Sequence, residues 1–177
     1  ATHSYQVVAN WKVLVENFLD MAHFPFVHTD ILGVEEHAEV TRYEVEIRRD
    51  VDEVWATKCR FYQPQAAAHA GSGQVSEYMY RVSSPFTVVL YKTCPTEPER
   101  FDVIGLFVQP VEEDLSLAYA FVLVVDDQST TTALIHFQQT IFLQDRIILL
   151  EMQVRCARVL PATTTCCSRA AGSGPRR

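Results

Sequence analysis

The sequence predicts an α+β domain in which one antiparallel sheet packs against a helix at the end of the chain. Short segments rich in Val, Tyr, Phe and Thr, separated by turn residues, fill the region from Glu36 to Val125. Helical spacing of apolar residues precedes this region and returns after it. Strands grouped in the middle and helices segregated at the two ends are typical of a sheet that is covered by its own helices.

The elements are predicted in the order helix, sheet, long helix. The first helical stretch covers residues 11–28 and the last covers residues 130–160. Partial alternation of apolar and polar residues predicts strands at 38–48, 52–62, 75–83, 86–93, 101–110 and 115–125. Segment 63–73, with its alanines and glycines, is expected to be a flexible loop. A curved sheet of this kind can enclose a ligand cavity.

Composition excludes several classes of partner. The chain has 22 acidic and 15 basic residues and a net charge of -7, so it lacks the positive charge that attracts nucleic acid. The longest apolar run, 117–125, is about half of the roughly 20 residues that a membrane-spanning helix needs. No secretory signal is recognisable, so a cytoplasmic location is expected. Residues 1–160 are expected to form one domain, and 161–177 a disordered tail.

The segment ENFLDMAHFPFVH places Asp20, His23 and His28 in an otherwise apolar stretch, where polar groups are costly. On an unbroken helix, His28 would point away from His23, but Pro25 between them is expected to loosen the backbone and let both imidazoles meet. Two neutral imidazoles suit iron, zinc, copper or nickel, so the pair does not identify a metal. The alternative is a pair of core or surface histidines bonded to backbone groups.

Asp145 is the candidate third ligand. It lies on an apolar stripe of the predicted last helix, with Ile141 and Leu149 four residues away on either side. No basic residue stands at the spacings that would pair with it, so an ionised carboxylate needs a partner from another element, and a metal cation is one. The alternative is an exposed helix at this point, because Gln144 and Arg146 mark an adjacent polar face. Two histidines and one carboxylate form the facial triad of non-heme Fe(II) oxygenases, which leaves positions open for O2.

Two motifs carry a family resemblance. The pattern N-W-K-x-x-x-E-N-F-x-D-x-x-H-x-x-x-x-H, from Asn10 to His28, resembles the iron-ligand motif of Rieske non-heme iron oxygenase α subunits, the aromatic-ring-hydroxylating oxygenases. The pattern F-x-x-x-I-F-x-Q-D-x-x-I, from Phe137 to Ile148, resembles the helix that supplies the aspartate ligand in the catalytic, C-terminal domain of these proteins. The segments P-F-T-V at 85–88 and V-Q-P-V-E-E-D at 108–114 are similar to the vanillate O-demethylase branch.

The resemblance implies a helix-grip fold, as in START and Bet v 1-like domains, with a curved sheet of about seven strands on a long C-terminal helix. It also implies that His23, His28 and Asp145 bind mononuclear Fe(II). Asp20 would not be a ligand but would bridge the iron to a Rieske histidine on a neighbouring subunit, in a homotrimer. Asn17 matches a family position close to the iron. The alternative for Asp20 is simple solvation of the helix, although its carboxylate can also take the ring N–H of His23.

A Rieske [2Fe-2S] cluster needs two Cys and two His ligands, and no cysteine of this chain has a histidine within three residues. The cluster is therefore expected only on a partner domain or chain, together with a reductase or ferredoxin. The function implied is O2-dependent hydroxylation or oxidative demethylation of an aromatic or similar hydrophobic compound. The alternatives are a non-catalytic module that binds hydrophobic ligands and an inactive, truncated fragment. Candidates for cavity or plain core residues are Phe86, Tyr91, Phe107 and Phe121.

Overall fold

In the part of the chain that the structure describes, seven antiparallel strands form one sheet, and three helices pack on one side of it. The computed structural model describes residues 2–69, 72–95, 97, 99–126 and 128–159. The elements in chain order are β1 (Thr2–Val7), α1 (Trp11–Leu19), α2 (Phe24–Val27), a 3-10 turn (Glu35–His37), β2 (Glu44–Arg48), β3 (Glu53–Gln63), β4 (Gln74–Ser84), β5 (Thr87–Thr93), β6 (Phe101–Glu112), β7 (Leu115–Leu123) and α3 (Thr131–Val159). The predicted α+β class, with a helix-grip arrangement of seven strands and a long last helix, is confirmed.

The strand order is β1-β7-β6-β5-β4-β3-β2, and all neighbouring strands run antiparallel. Strands β2 to β7 follow one another as a meander, and β1 returns to pair with β7, so that Tyr5 lies opposite Ala118. Register shifts interrupt β3 between Ala56 and Cys59 and β6 between Pro110 and Glu112. Such bulges increase local bend and twist, which helps the sheet to curve around its contents.

Three sequence predictions need correction. The strand β1 was not predicted, because the partner that stabilises it lies more than 100 residues away in the sequence. The strand predicted at 38–48 is confined to Glu44–Arg48, an edge strand whose five residues are all exposed. The helix predicted at 11–28 is broken between α1 and α2. The predicted disordered tail, 161–177, lies outside the described residues.

The core lies between the inner face of the sheet and the helices. Alternate residues of β5 are buried, namely Val88, Leu90 and Lys92. Val88 and Leu90 belong to the same hydrophobic cluster as Leu106 and Val108 of β6. The helix α3 crosses this face, where the Phe142 ring stacks on Tyr5 of β1 at a centroid distance of 4.0 Å. Within the described residues, none of the helices combines the length and the apolar character that a bilayer crossing requires.

Candidate metal centre and substrate cavity

The break between α1 and α2 places His23 and His28 at the two ends of a single helical turn. Helix α1 ends at Leu19, and Asp20 follows in an extended conformation. His23 then precedes the turn Phe24–Val27 and His28 follows it. The backbone loosens before Pro25 rather than at it, because Pro25 lies in the first turn of α2, where its missing N–H would have no helical partner.

The loop that follows α2 packs tightly against this turn. A Cβ atom at Gly33 would lie 2.8 Å from the backbone nitrogen of Pro25, so no other residue fits without displacing the backbone. The backbone N–H groups of Ile31 and Leu32 both donate to the carbonyl of His28, at 3.0 Å each. Close packing and backbone hydrogen bonds therefore hold the second histidine in place.

The two imidazoles and Asp145 converge on one point. The Nε2 atoms of His23 and His28 lie 3.2 Å apart. The Oδ1 atom of Asp145, which comes from α3, lies 3.0 Å from Nε2 of His28 and 3.4 Å from Nε2 of His23. The side chains of His23, His28 and Asp145 are 15%, 1% and 17% exposed, so α3 is not open to solvent at Asp145.

Each histidine is oriented through its other ring nitrogen. Nδ1 of His28 donates to Oε1 of Gln144 at 2.9 Å, and Nδ1 of His23 donates to Oδ2 of Asp20 at 3.1 Å. Both acceptors lack a proton to give, so the Nδ1 atoms carry the hydrogen and a neutral ring presents a lone pair at Nε2. Asp20 makes this contact from the extended segment that follows α1. Gln144 was missed as an orienting residue, because its sequence position marked only a polar helix face.

The donor set fits a cation. Two Nε2 lone pairs and the carboxylate face one another at 3.0–3.4 Å, and the buried Oδ1 of Asp145 receives no well-formed hydrogen bond from the described residues. Ligand atoms bound at about 2.1 Å are roughly 3.0 Å apart at an octahedral metal and roughly 3.4 Å apart at a tetrahedral one. Among the described residues, this is the group of His, Cys, Asp and Glu side chains that could share one metal ion.

The electrostatics also favour positive charge at this point. Burial opposes ionisation of Asp145, but contacts with His23, His28 and the Asn17 side chain lower its pKa to about 2. Burial would lower the pKa of His23, yet Asp145 and Asp20 outweigh it and raise that pKa. The acidic side chains that raise the pKa of His23 would equally favour a metal cation bound to its ring, and the metal would compete with protons for that nitrogen.

A cavity of about 420 Å³ lies between the inner face of the sheet and α3. The three converging residues and Asn17 form part of its wall. The remaining wall is mainly apolar and includes Leu14, Phe18, Leu90, Ile104, Leu106 and Phe142. Its size and lining are typical of a site for a small hydrophobic compound.

None of the four aromatic candidates from the sequence lines this cavity. Phe107 and Phe121 stack on each other at 5.5 Å, and Tyr91 stacks on Trp55 at 5.9 Å. Phe86 contacts the ring of Trp11 edge-on at 4.7 Å. Tyr91 lies between the inward-facing Leu90 and Lys92, so strand alternation turns it to the outer face.

The fold and a family match together define the class, which is that of an oxygenase catalytic domain. Residues 7–171 match the family described as the vanillate O-demethylase oxygenase C-terminal domain, and the chain belongs to this family. The resemblance that the two sequence motifs carried is thereby confirmed.

Known proteins similar to this chain are N-demethylases and monooxygenases. The probable methylxanthine N7-demethylase NdmC of Pseudomonas sp. (strain TJI-51) is 46% identical over 162 residues, which are 92% of this chain and 57% of that protein. The chain thus spans little more than half the length of this relative.

Two solved structures share the fold. Dicamba monooxygenase bound to 3,6-dichlorosalicylic acid aligns with a TM-score of 0.69 and 17% identity, over 93% of this chain and 54% of that one. NdmA of Pseudomonas putida CBB5 with caffeine aligns with a TM-score of 0.67 and 18% identity, over 94% and 46%.

Proposed function

We propose that residues 1–160 form a catalytic domain that binds mononuclear Fe(II) through His23, His28 and Asp145. The observation that carries this proposal is the convergence of the two Nε2 atoms and Oδ1 of Asp145 within 3.0–3.4 Å of one another. Such a group is unstable without a cation, and two imidazoles with one carboxylate are the ligand set of non-heme Fe(II) oxygenases. When bound, the iron would supply O2 activation at its open positions.

The residues of the chain would hold and orient this centre. Gln144 and Asp20 keep the Nε2 lone pairs of the histidines aimed inward, and the Asn17 side chain helps to lower the pKa of the Asp145 carboxyl. The apolar cavity wall would exclude water from the bound compound and hold it beside the ligands.

The proposed reaction is oxidative demethylation of an N-methylated, flat heterocycle, with a methylxanthine as the first candidate. The 46% identity with a probable methylxanthine N7-demethylase supports this choice over other hydrophobic compounds. The methyl group would take one oxygen atom from O2 and leave as formaldehyde, while the nitrogen gains a proton. Two electrons and two protons reduce the second oxygen atom of O2 to water.

Electrons would come from a [2Fe-2S] Rieske cluster on another domain or chain, supplied by a reductase or ferredoxin. Asp20 is the proposed connection to that cluster, within a homotrimer. The side chain of Asp20 is 49% exposed while it contacts the nearly buried His23, so it reaches from the candidate metal centre to the surface. That position is what an electron path from a neighbouring subunit would require.

Anaerobic Fe(II) binding, measured as metal content per chain, tests the proposal. The wild type is expected to hold about one iron ion, and His23→Ala and Asp145→Ala are expected to lose it. His136→Ala is the matched control, because His136 is an exposed histidine of α3 outside the site. A folded wild type that takes up no iron would refute the metal centre and leave a ligand-binding module or an inactive fragment.

A further inference from the structure

The sheet side of the cavity carries two polar groups that the metal centre does not use. Lys92 of β5 lines the cavity and is only 6% exposed. Tyr80 of β4 lines it too, is 2% exposed, and its hydroxyl has no hydrogen-bond partner among the described residues. Buried polar groups of this kind are costly unless something satisfies them.

Lys92 is only partly satisfied by the protein. Its ammonium group donates one hydrogen bond to the backbone carbonyl of Ala66, in the loop after β3. An ammonium group has three N–H donors. Asp102, directly opposite on β6, interacts with Lys92 through its charge, but the pair does not form a close ion pair. Burial lowers the pKa of Lys92 to about 8, so the group is still mostly protonated at pH 7.

The two groups are neighbours on one face of the sheet. Tyr78 of β4 lies directly opposite Lys92, and Tyr80 lies two residues further along the same strand, which makes Tyr80 the diagonal neighbour of Lys92. Diagonal neighbours have backbones roughly 7–8 Å apart, within reach of long side chains. A single small compound in the cavity can therefore contact both.

We propose that Lys92 and Tyr80 form a polar subsite that binds an oxygen acceptor of the substrate, either a ring carbonyl or a carboxylate. The subsite donates hydrogen bonds from the sheet wall, while the reacting methyl group would lie beside His23, His28 and Asp145 on the helix side. This inference rests on the proposed function for the position of the reacting group. It narrows the substrate class to flat compounds that carry an exocyclic oxygen.

Calorimetric titration of the whole chain at pH 7 with two matched ligand pairs tests the subsite. The first pair is 7-methylxanthine, with two carbonyl oxygens, and 7-methylpurine, with none. The second pair is 4-methoxybenzoate and anisole. In the wild type, the oxygenated member of at least one pair is expected to bind more tightly. Lys92→Met is expected to weaken the binding of that member by about 10-fold or more, with little change in the binding of its oxygen-free partner.

Further variants separate the two acceptor types and the shape of the cavity. Lys92→Gln keeps an N–H donor without charge, so it is expected to retain binding of a carbonyl compound and to lose binding of a carboxylate. Tyr80→Phe is expected to reduce the preference for the oxygenated member by about 3- to 10-fold. Leu90→Met, on the same strand face, is the control for cavity shape. It is expected to change the affinities for both members of a pair by the same factor.

Two results would overturn the subsite. One is a wild type that does not prefer the oxygenated member of either pair. The other is a preference that stays within about 2-fold of the wild-type value in both Lys92→Met and Tyr80→Phe. Replacing a lysine with a purely structural role would leave this preference unchanged. Iron content, measured on the same samples, keeps the two proposals apart. A chain without iron that still shows the Lys92-dependent preference refutes the metal centre alone, and an iron-bound chain without it refutes the subsite alone.

Discussion

The two walls of the cavity are built in different ways. On the helix wall, His23 and His28 come from one short segment and Asp145 from a single turn of α3, and local hydrogen bonds orient them. On the sheet wall, Lys92 and Tyr80 face the cavity because of strand register alone. Sequence motifs can therefore predict the residues of the helix wall. The residues of the sheet wall depend on which strands pair and on which face each residue lies, and these are not visible in a motif.

The largest expected effect is at Asp145, on the helix wall. Asp145→Asn keeps the shape of the side chain but removes the charge that balances a cation, so Fe(II) affinity is expected to fall by at least about 100-fold. Anaerobic Fe(II) titration measures this change. Asp114→Asn, in the exposed turn between β6 and β7, is the matched control and should bind iron as the wild type does. Equal affinity in the two variants would remove Asp145 from the ligand set.

A smaller loss is expected at Gln144, which contacts the proposed ligand His28 and not the proposed metal position itself. Gln144→Leu removes the acceptor for Nδ1 of His28, so the ring loses its orientation and Fe(II) affinity is expected to drop by about 10- to 100-fold. The control is Gln139→Leu on the same helix, a glutamine that does not line the cavity. If both variants bind iron equally well, the hydrogen bond to Gln144 does not orient the ligand.

The difference between the two walls determines which parts of the fold and site could be predicted from the sequence. The α+β class and the long last helix follow from periodicity, and the motif around His23 and His28 led to the family. Strand β1 could not be found, because its pairing with β7 is a contact between distant parts of the chain. The inward-facing residues of β5 could not be predicted for a similar reason. A one-residue change of register exchanges Tyr91 for Lys92 on the inner face, and the sequence alone does not determine the register.

The buried charge of Lys92, on the sheet wall, is expected to make the free energy of unfolding depend on pH. The pKa of Lys92 is lowered by burial to about 8, against 10.5 when exposed, although Asp102 and Cys94 oppose the shift. Below pH 8 both the folded and the unfolded states are protonated, and the folded state bears the whole cost of the buried charge. Between about pH 8 and 10.5 the unfolded state binds more protons, so the free energy of unfolding rises with pH.

Urea unfolding of the wild type and Lys92→Met across this pH range isolates the effect, because other titrating groups are common to both. The free energy of unfolding of the wild type is expected to gain on the order of 2 kcal/mol relative to the variant between pH 8 and 10.5. A constant difference across the range would mean that Lys92 titrates at an ordinary pKa and is not buried in the protonated form.

The smallest expected effect separates two tyrosines that lie two residues apart on the sheet wall. The hydroxyl of Tyr78 accepts a hydrogen bond from Nε2 of the buried Gln63 at 2.7 Å, whereas the hydroxyl of Tyr80 has no partner among the described residues. Without ligand, Tyr80→Phe is therefore expected to change the free energy of unfolding by less than about 0.5 kcal/mol, or to increase it. Tyr78→Phe is expected to reduce it by about 1–3 kcal/mol, because the amide of Gln63 loses its acceptor. Equal losses in urea unfolding would show that the Tyr80 hydroxyl is already satisfied within the protein, and this would remove one of the two donors from the proposed subsite.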